Sequence, residues 1–150
     1  IDLWQMPEKM LVAETKMAYD ARDIAVSGDG KYVIAGGYWP PHFVIMDAET
    51  LNPLKVVSSR GINVDGEYVN EARVAAIYTT PNEPTFVVAV KELGQVWQVD
   101  YSDLDNLRIE QINSAKFLHT MDSSTQPVVT SRLQQTPLTR WWLSIPRNAS

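Results

Sequence analysis

Two arginines and a histidine are the residues of this sequence best suited to hold an anion and move a proton. Arg22 and Arg73 each head an apolar run, Arg22-Asp23-Ile24-Ala25-Val26 and Arg73-Val74-Ala75-Ala76-Ile77-Tyr78. A third unit starts near Lys116-Phe117-Leu118-His119, which puts His119 in or near the same slot. A guanidinium fork grips a carboxylate through parallel N–H bonds, and an imidazole exchanges its proton near neutral pH. If the runs are innermost strands of a repeat, the three side chains converge on one mouth of a channel. Such a site suits a planar, anionic, carboxylate-rich ligand.

The elements that must position these residues are short strands. Ile24-Ala25-Val26, Tyr32-Val33-Ile34-Ala35, Phe43-Val44-Ile45-Met46 and Leu54-Lys55-Val56-Val57 are β-branched or aromatic runs. They are separated by turn formers: Ser27-Gly28-Asp29-Gly30, Gly36-Gly37, Pro40-Pro41 and Glu49-Thr50-Leu51-Asn52-Pro53. Glycine supplies positive φ in such turns and proline presets φ near −65°. No window carries a convincing amphipathic helix, so the fold class is all-β.

The second half repeats the first at an offset of about fifty residues. Phe86-Val87-Val88-Ala89-Val90 matches Tyr32-Val33-Ile34-Ala35, and Val96-Trp97-Gln98-Val99-Asp100 matches Phe43-Val44-Ile45-Met46-Asp47. Aligning the arginines makes Arg22 and Arg73 equivalent. Four short strands per unit are the content of one β-propeller blade, which buries its faces only by stacking on neighbours. The competing architecture is a β-sandwich with accidental similarity. About two and a half blades are expected, the two full ones near residues 21–59 and 72–113. They cannot close a ring, and Ile1-Asp2-Leu3-Trp4 reads as the middle of something longer.

Charge and composition narrow the function classes. A net charge of −5 without a basic stripe argues against nucleic-acid binding. No apolar stretch is long enough for a membrane-spanning helix. With no cysteine, the chain itself holds no disulfide, thiolate zinc site or Cys-x-x-Cys-His haem attachment. The two histidines lack metal-ligand spacing, and neither a phosphate loop nor a Gly-x-Ser-x-Gly elbow is present.

An ordered set of motifs resembles the haem d₁ domain of cytochrome cd₁ nitrite reductases. It comprises Ala21-Arg22, Ile34-Ala35-Gly36-Gly37-Tyr38-Trp39-Pro40-Pro41, Val44-Ile45-Met46-Asp47-Ala48-Glu49-Thr50-Leu51, Arg73-Val74-Ala75-Ala76-Ile77, Val90-Lys91-Glu92, Val99-Asp100-Tyr101-Ser102-Asp103-Leu104-Asp105-Asn106-Leu107 and Phe117-Leu118-His119. The similarity runs from about Met10 to Ser124. It implies an eight-bladed β-propeller around haem d₁, in a periplasmic parent of denitrifying bacteria that reduces nitrite to nitric oxide. It also implies an N-terminal domain carrying haem c, a small periplasmic electron-donor protein as partner, and a homodimeric parent. Carried over by position, Arg22 and Arg73 stand around the haem, with Arg22 paired to its carboxylates. Tyr38 lines the pocket, Ala75 and Ala76 pack close to the macrocycle, and His119 is a distal proton donor. The iron's proximal histidine lies outside this sequence. His42 follows the proline pair and reads as structural or exposed.

After His119 the pattern departs. The family continues with Asp-Gly-Gly, whereas here Thr120-Met121-Asp122 follows, and the similarity stops after Ser124. The expected division is a partial haem d₁ propeller domain over residues 1–125 and an aberrant tail over 126–150. Back-translated one base out of frame from Pro127, the tail can encode a third-blade pattern with Val-Val in place of Trp141-Trp142. Two alternatives to a reductase stand beside it: a haem d₁ biogenesis paralogue and a non-catalytic propeller that binds proteins. A piece lacking its neighbouring blades is expected to expose strands such as Phe86 to Val90 and to aggregate.

Overall fold

The computed structural model describes residues 1–117 and, among them, strands and turns without a helix. No helix of the described residues is therefore long and apolar enough to cross a membrane. A hairpin of β1 (Asp2–Gln5) and β2 (Met10–Glu14) precedes a four-stranded antiparallel sheet. That sheet runs in order through β3 (Ala21–Val26), β4 (Tyr32–Gly37), β5 (His42–Asp47) and β6 (Pro53–Ser58). A short hairpin, β7 (Gly61–Ile62) and β8 (Tyr68–Val69), leads to the second sheet. Its strands are β9 (Val74–Thr79), β10 (Thr85–Val90), β11 (Gln95–Asp100) and β12 (Arg108–Asn113), again paired in sequence order. Two such meanders stacked face to face are β-propeller blades.

The core lies between the blades. Ile34, Phe43 and Ile45 from the first blade pack with Ile77, Phe86, Val88, Trp97 and Val99 from the second, all essentially buried. Trp97 satisfies its buried Nε1–H on the Gln95 Oε1 at 3.0 Å, so the ring brings no orphaned donor inside. Tyr101 closes one end, with its ring centroid 4.6 Å from that of Phe86 and 5.7 Å from that of Tyr32. Phe86 to Val90 form a central strand and are at most 4% exposed, so the expected exposed run is elsewhere. β10 is covered by β9 and β11 at its edges. Exposed apolar residues include Ile24, Val26, Leu54 and Val56, on the face of the first blade turned away from the second, and Trp4, Met10, Leu11 and Val12 of the first hairpin.

Ala21 to Val74, Tyr32 to Thr85 and His42 to Gln95 are each separated by 53 residues, so one register relates the two blades. In that register Arg73 corresponds to Asp20, and Arg22 to Ala75. The loop bonds agree: Tyr38 N–H donates to the Asp20 carbonyl at 2.8 Å, as Lys91 N–H does to the Arg73 carbonyl at 2.9 Å. The two arginines are therefore not equivalent positions. The hairpin pairings fix the register, and matching the arginine letters shifts it by two residues.

Three aspartates hold turns between strands. Asp29 accepts from the Ser27 hydroxyl at 2.6 Å, Asp47 from the Thr50 hydroxyl and N–H at 2.9 Å, and Asp103 from the Asn106 side-chain amide at 2.9 Å. Those side-chain bonds, aided by backbone N–H groups, hold all three carboxyls below the usual aspartate value of 3.8. A depressed folded pKa contributes stability above the unfolded pKa, and that contribution is lost as pH falls through the folded one. The melting temperature is expected to drop from about pH 5 to about pH 3, with a shallower drop in Asp47→Asn. A flat profile over that range would show that these turns contribute nothing.

Candidate functional site

The innermost strands β3 and β9 lie beside each other, and both carry a β-bulge at the same blade position. In β3, Ala21 pairs with Gly37 and Asp23 with Gly36, which leaves Arg22 as the extra residue. In β9, Val74 pairs with Val90 and Ala76 with Ala89, which leaves Ala75 extra. Bulges bend the strand and re-aim a side chain, a recurrent device next to sites. Across the blade joint, the Asp23 carboxylate accepts the Ile77 N–H at 2.7 Å and the neighbouring Ile24 N–H at 2.9 Å. The Thr79 hydroxyl donates to the Val26 carbonyl at 2.6 Å. These bonds use edge groups that the sheets leave unpaired, and they fix β3 against β9.

Arg22 and Arg73 meet at Tyr38 despite their different blade positions. The Arg22 Cζ lies 4.9 Å and the Arg73 Cζ 5.2 Å from the centre of the Tyr38 ring, both within cation–π range. Tyr38 is only 8% exposed, so its ring is a fixed platform. The turn that carries it is held by His42, whose Nδ1 lies 2.6 Å from the Pro40 carbonyl and whose Nε2 lies 3.1 Å from the Met17 carbonyl. His42 is buried, so of its two sequence readings the structural one stands and the exposed one falls.

The two guanidiniums differ in their commitments. Arg73 is clasped by Glu92: its Nε–H donates to Oε1 at 2.6 Å, Nη2 lies 2.5 Å from the same oxygen, and its backbone N–H donates to Oε2 at 2.6 Å. The Glu92 hydrogen bond raises the Arg73 pKa further above its ordinary value. Arg22 has a single 4.0 Å approach to Asp20, and both side chains are more than half exposed. Glu92 carried no signal of this role in the sequence, since the contact links residues 19 apart across a turn. Ala75 is half-buried at its bulge and Ala76 is buried against Ala89. His119 and the tail over 126–150 lie outside the described residues. Among the described residues, no group of three or more His, Cys, Asp or Glu side chains could hold a metal ion.

A blade pair with this paired-arginine platform matches the family described as Cytochrome D1 heme domain over residues 1–129. The chain belongs to that family. Among curated proteins, it is 51% identical over 123 residues to the nitrite reductase of Stutzerimonas stutzeri, covering 79% of this chain and 22% of that protein. It is 32% identical over 103 residues to the dihydro-heme d1 dehydrogenase of Pseudomonas aeruginosa, covering 69% of this chain and 20% of that one. The solved structure of dihydro-heme d1 dehydrogenase NirN in complex with DHE superimposes with a TM-score of 0.66 at 30% identity. That likeness covers 78% of this chain and 24% of that one. The chain thus spans about a fifth of the length of the curated relatives it matches.

The residues of this cytochrome D1 heme domain chain fit the group its family name implies. Arg22 offers an uncommitted, accessible cation where a carboxylate can bind. Tyr38 offers a fixed ring beside it, and Ala75 and Ala76 add no side chain beyond a methyl group.

Proposed function

We propose that this chain is part of the haem d₁ propeller of a nitrite reductase that converts nitrite to nitric oxide. The observation that carries the reading is the 51% identity to a nitrite reductase, against 32% to a dihydro-heme d1 dehydrogenase. Haem d₁, when bound, supplies the iron that binds nitrite and the electron that reduces it. The chain's own residues hold the cofactor and manage charge. Arg22 pairs with a haem carboxylate through a charge-assisted hydrogen bond. Tyr38 and Arg73 line the pocket beside it, and Ala75 and Ala76 lie close to the macrocycle. His119 donates a proton to the nitrite oxygen that leaves, so that nitrite, two protons and one electron give nitric oxide and water. A periplasmic setting, a small electron-donor protein, a haem c domain and a homodimeric parent belong to the same reading, with residues 1–125 as the propeller part and 126–150 as an aberrant tail.

The dehydrogenase likeness favours a second reading, in which the propeller oxidises a haem d₁ precursor and leaves nitrite alone. One assay separates them. The full-length protein containing this segment, loaded with haem d₁ and given reductant, is expected to turn nitrite into nitric oxide at an electrode. Failure to do so, with oxidation of dihydro-haem d₁ in its place, would assign it to biogenesis.

A further inference from the structure

We infer that Glu92 cancels the charge of Arg73 and keeps it as a fixed support for Tyr38, leaving Arg22 as the one cation the platform offers to an anionic ligand. This assignment rests on the haem d₁ reading above and names Glu92 as a positioning residue.

The contrast between the two arginines carries it. The Glu92 carboxylate meets the Arg73 side chain at 2.5 and 2.6 Å with one oxygen and its backbone N–H at 2.6 Å with the other. Those bonds fix the Arg73 conformation and use both carboxylate oxygens. The Glu92 side chain is only 15% exposed, so water competes weakly for it. The Arg73 side chain is 40% exposed and keeps N–H groups that Glu92 does not take, but Glu92 already compensates its charge, so a ligand carboxylate gains less there than at Arg22. Asp20 makes no comparable claim on Arg22, because a single 4.0 Å approach between exposed side chains is worth little and yields readily to a competitor. Both guanidiniums nevertheless stand over the same ring. The two guanidiniums and the Glu92 carboxylate therefore sum to one positive charge where two arginines suggest two, with only the exposed Asp20, 4.0 Å from Arg22, set against it.

The test uses charge-balanced substitutions in the full-length protein, prepared without cofactor and titrated with haem d₁ by absorption. In the double variant Arg73→Gln, Glu92→Gln the support beside Tyr38 is lost and the affinity is expected to fall about threefold, but its salt dependence to match wild type, because a neutral pair replaces a neutral pair. In Glu92→Gln alone Arg73 becomes an uncompensated cation. Binding should then tighten about fivefold at low salt, and the gain should shrink as salt screens it. A merely structural role for Glu92 would weaken binding in both variants. A loss of about tenfold in the double variant, equal to that of Arg22→Gln, would mean that Arg73 grips the ligand itself and would overturn the inference. Weaker binding in Glu92→Gln would overturn it equally, so either variant decides if the other does not fold. Wild-type protein that takes up no haem d₁ would instead sink the functional reading on which the inference rests.

Discussion

Replacing His119 with alanine in the full-length protein is expected to slow nitrite reduction roughly 100-fold while leaving haem d₁ bound. Removing an oxygen from nitrite as water consumes protons, and a positioned general acid accounts for a factor of about 100 or more. Imidazole is the side chain whose ordinary pKa lies near neutrality, so it can hold and release a proton at working pH. Cofactor retention is assigned to other residues: Arg22, whose guanidinium is accessible, and the Tyr38 platform beside it. The two properties should therefore separate. Haem d₁ occupancy from the absorption spectrum and nitrite turnover, measured on the same preparation, check this. Turnover at the parent rate would mean that His119 does not deliver the proton.

The second large effect is on stability. Gly36→Val is expected to destabilise the protein by about 2 kcal/mol, because overpacking costs about 3 and a β-branched residue in a strand returns about 1. A Cβ at Gly36 would stand 2.4 Å from the Val74 Cγ1 and 3.0 Å from the Ile77 Cδ1. Real atoms do not approach so closely, and Val74 is fully buried at the start of β9, within the core between the blades. The strain should also reach the site, since Val74 adjoins Arg73. Denaturant midpoints of wild type and variant measure the effect, and equal midpoints would mean that the blades slide apart at little cost.

Gly36 also illustrates what the sequence concealed. Read as letters, Gly36-Gly37 is a turn signal. In the fold it is the end of β4, and the missing side chain lets β9 approach. Gly30 kept its plain meaning, with φ of +72° in the turn between β3 and β4. Strand content was legible because period-two alternation and turn residues agree locally. Register was less so. A repeat of 53 residues aligns by hairpin geometry, whereas matching Arg22 to Arg73 by type is wrong by two positions. The proximity of Arg22, Arg73 and Tyr38 was legible only as a shared pocket, and their distances to one ring depend on how the blades stack. Glu92 was invisible as a partner because its contact with Arg73 spans a turn and follows no local pattern.

The central claim is that this propeller segment binds haem d₁ through Arg22. Its most direct test is titration of haem d₁ into cofactor-free full-length protein, wild type and Arg22→Gln, at low and moderate salt. The account predicts saturation at one haem d₁ per chain in wild type. It predicts affinity about tenfold weaker in the variant, the scale of a lost charge-assisted hydrogen bond, together with a smaller salt dependence. No uptake by wild type, or equal affinity of both proteins at either salt, would contradict it.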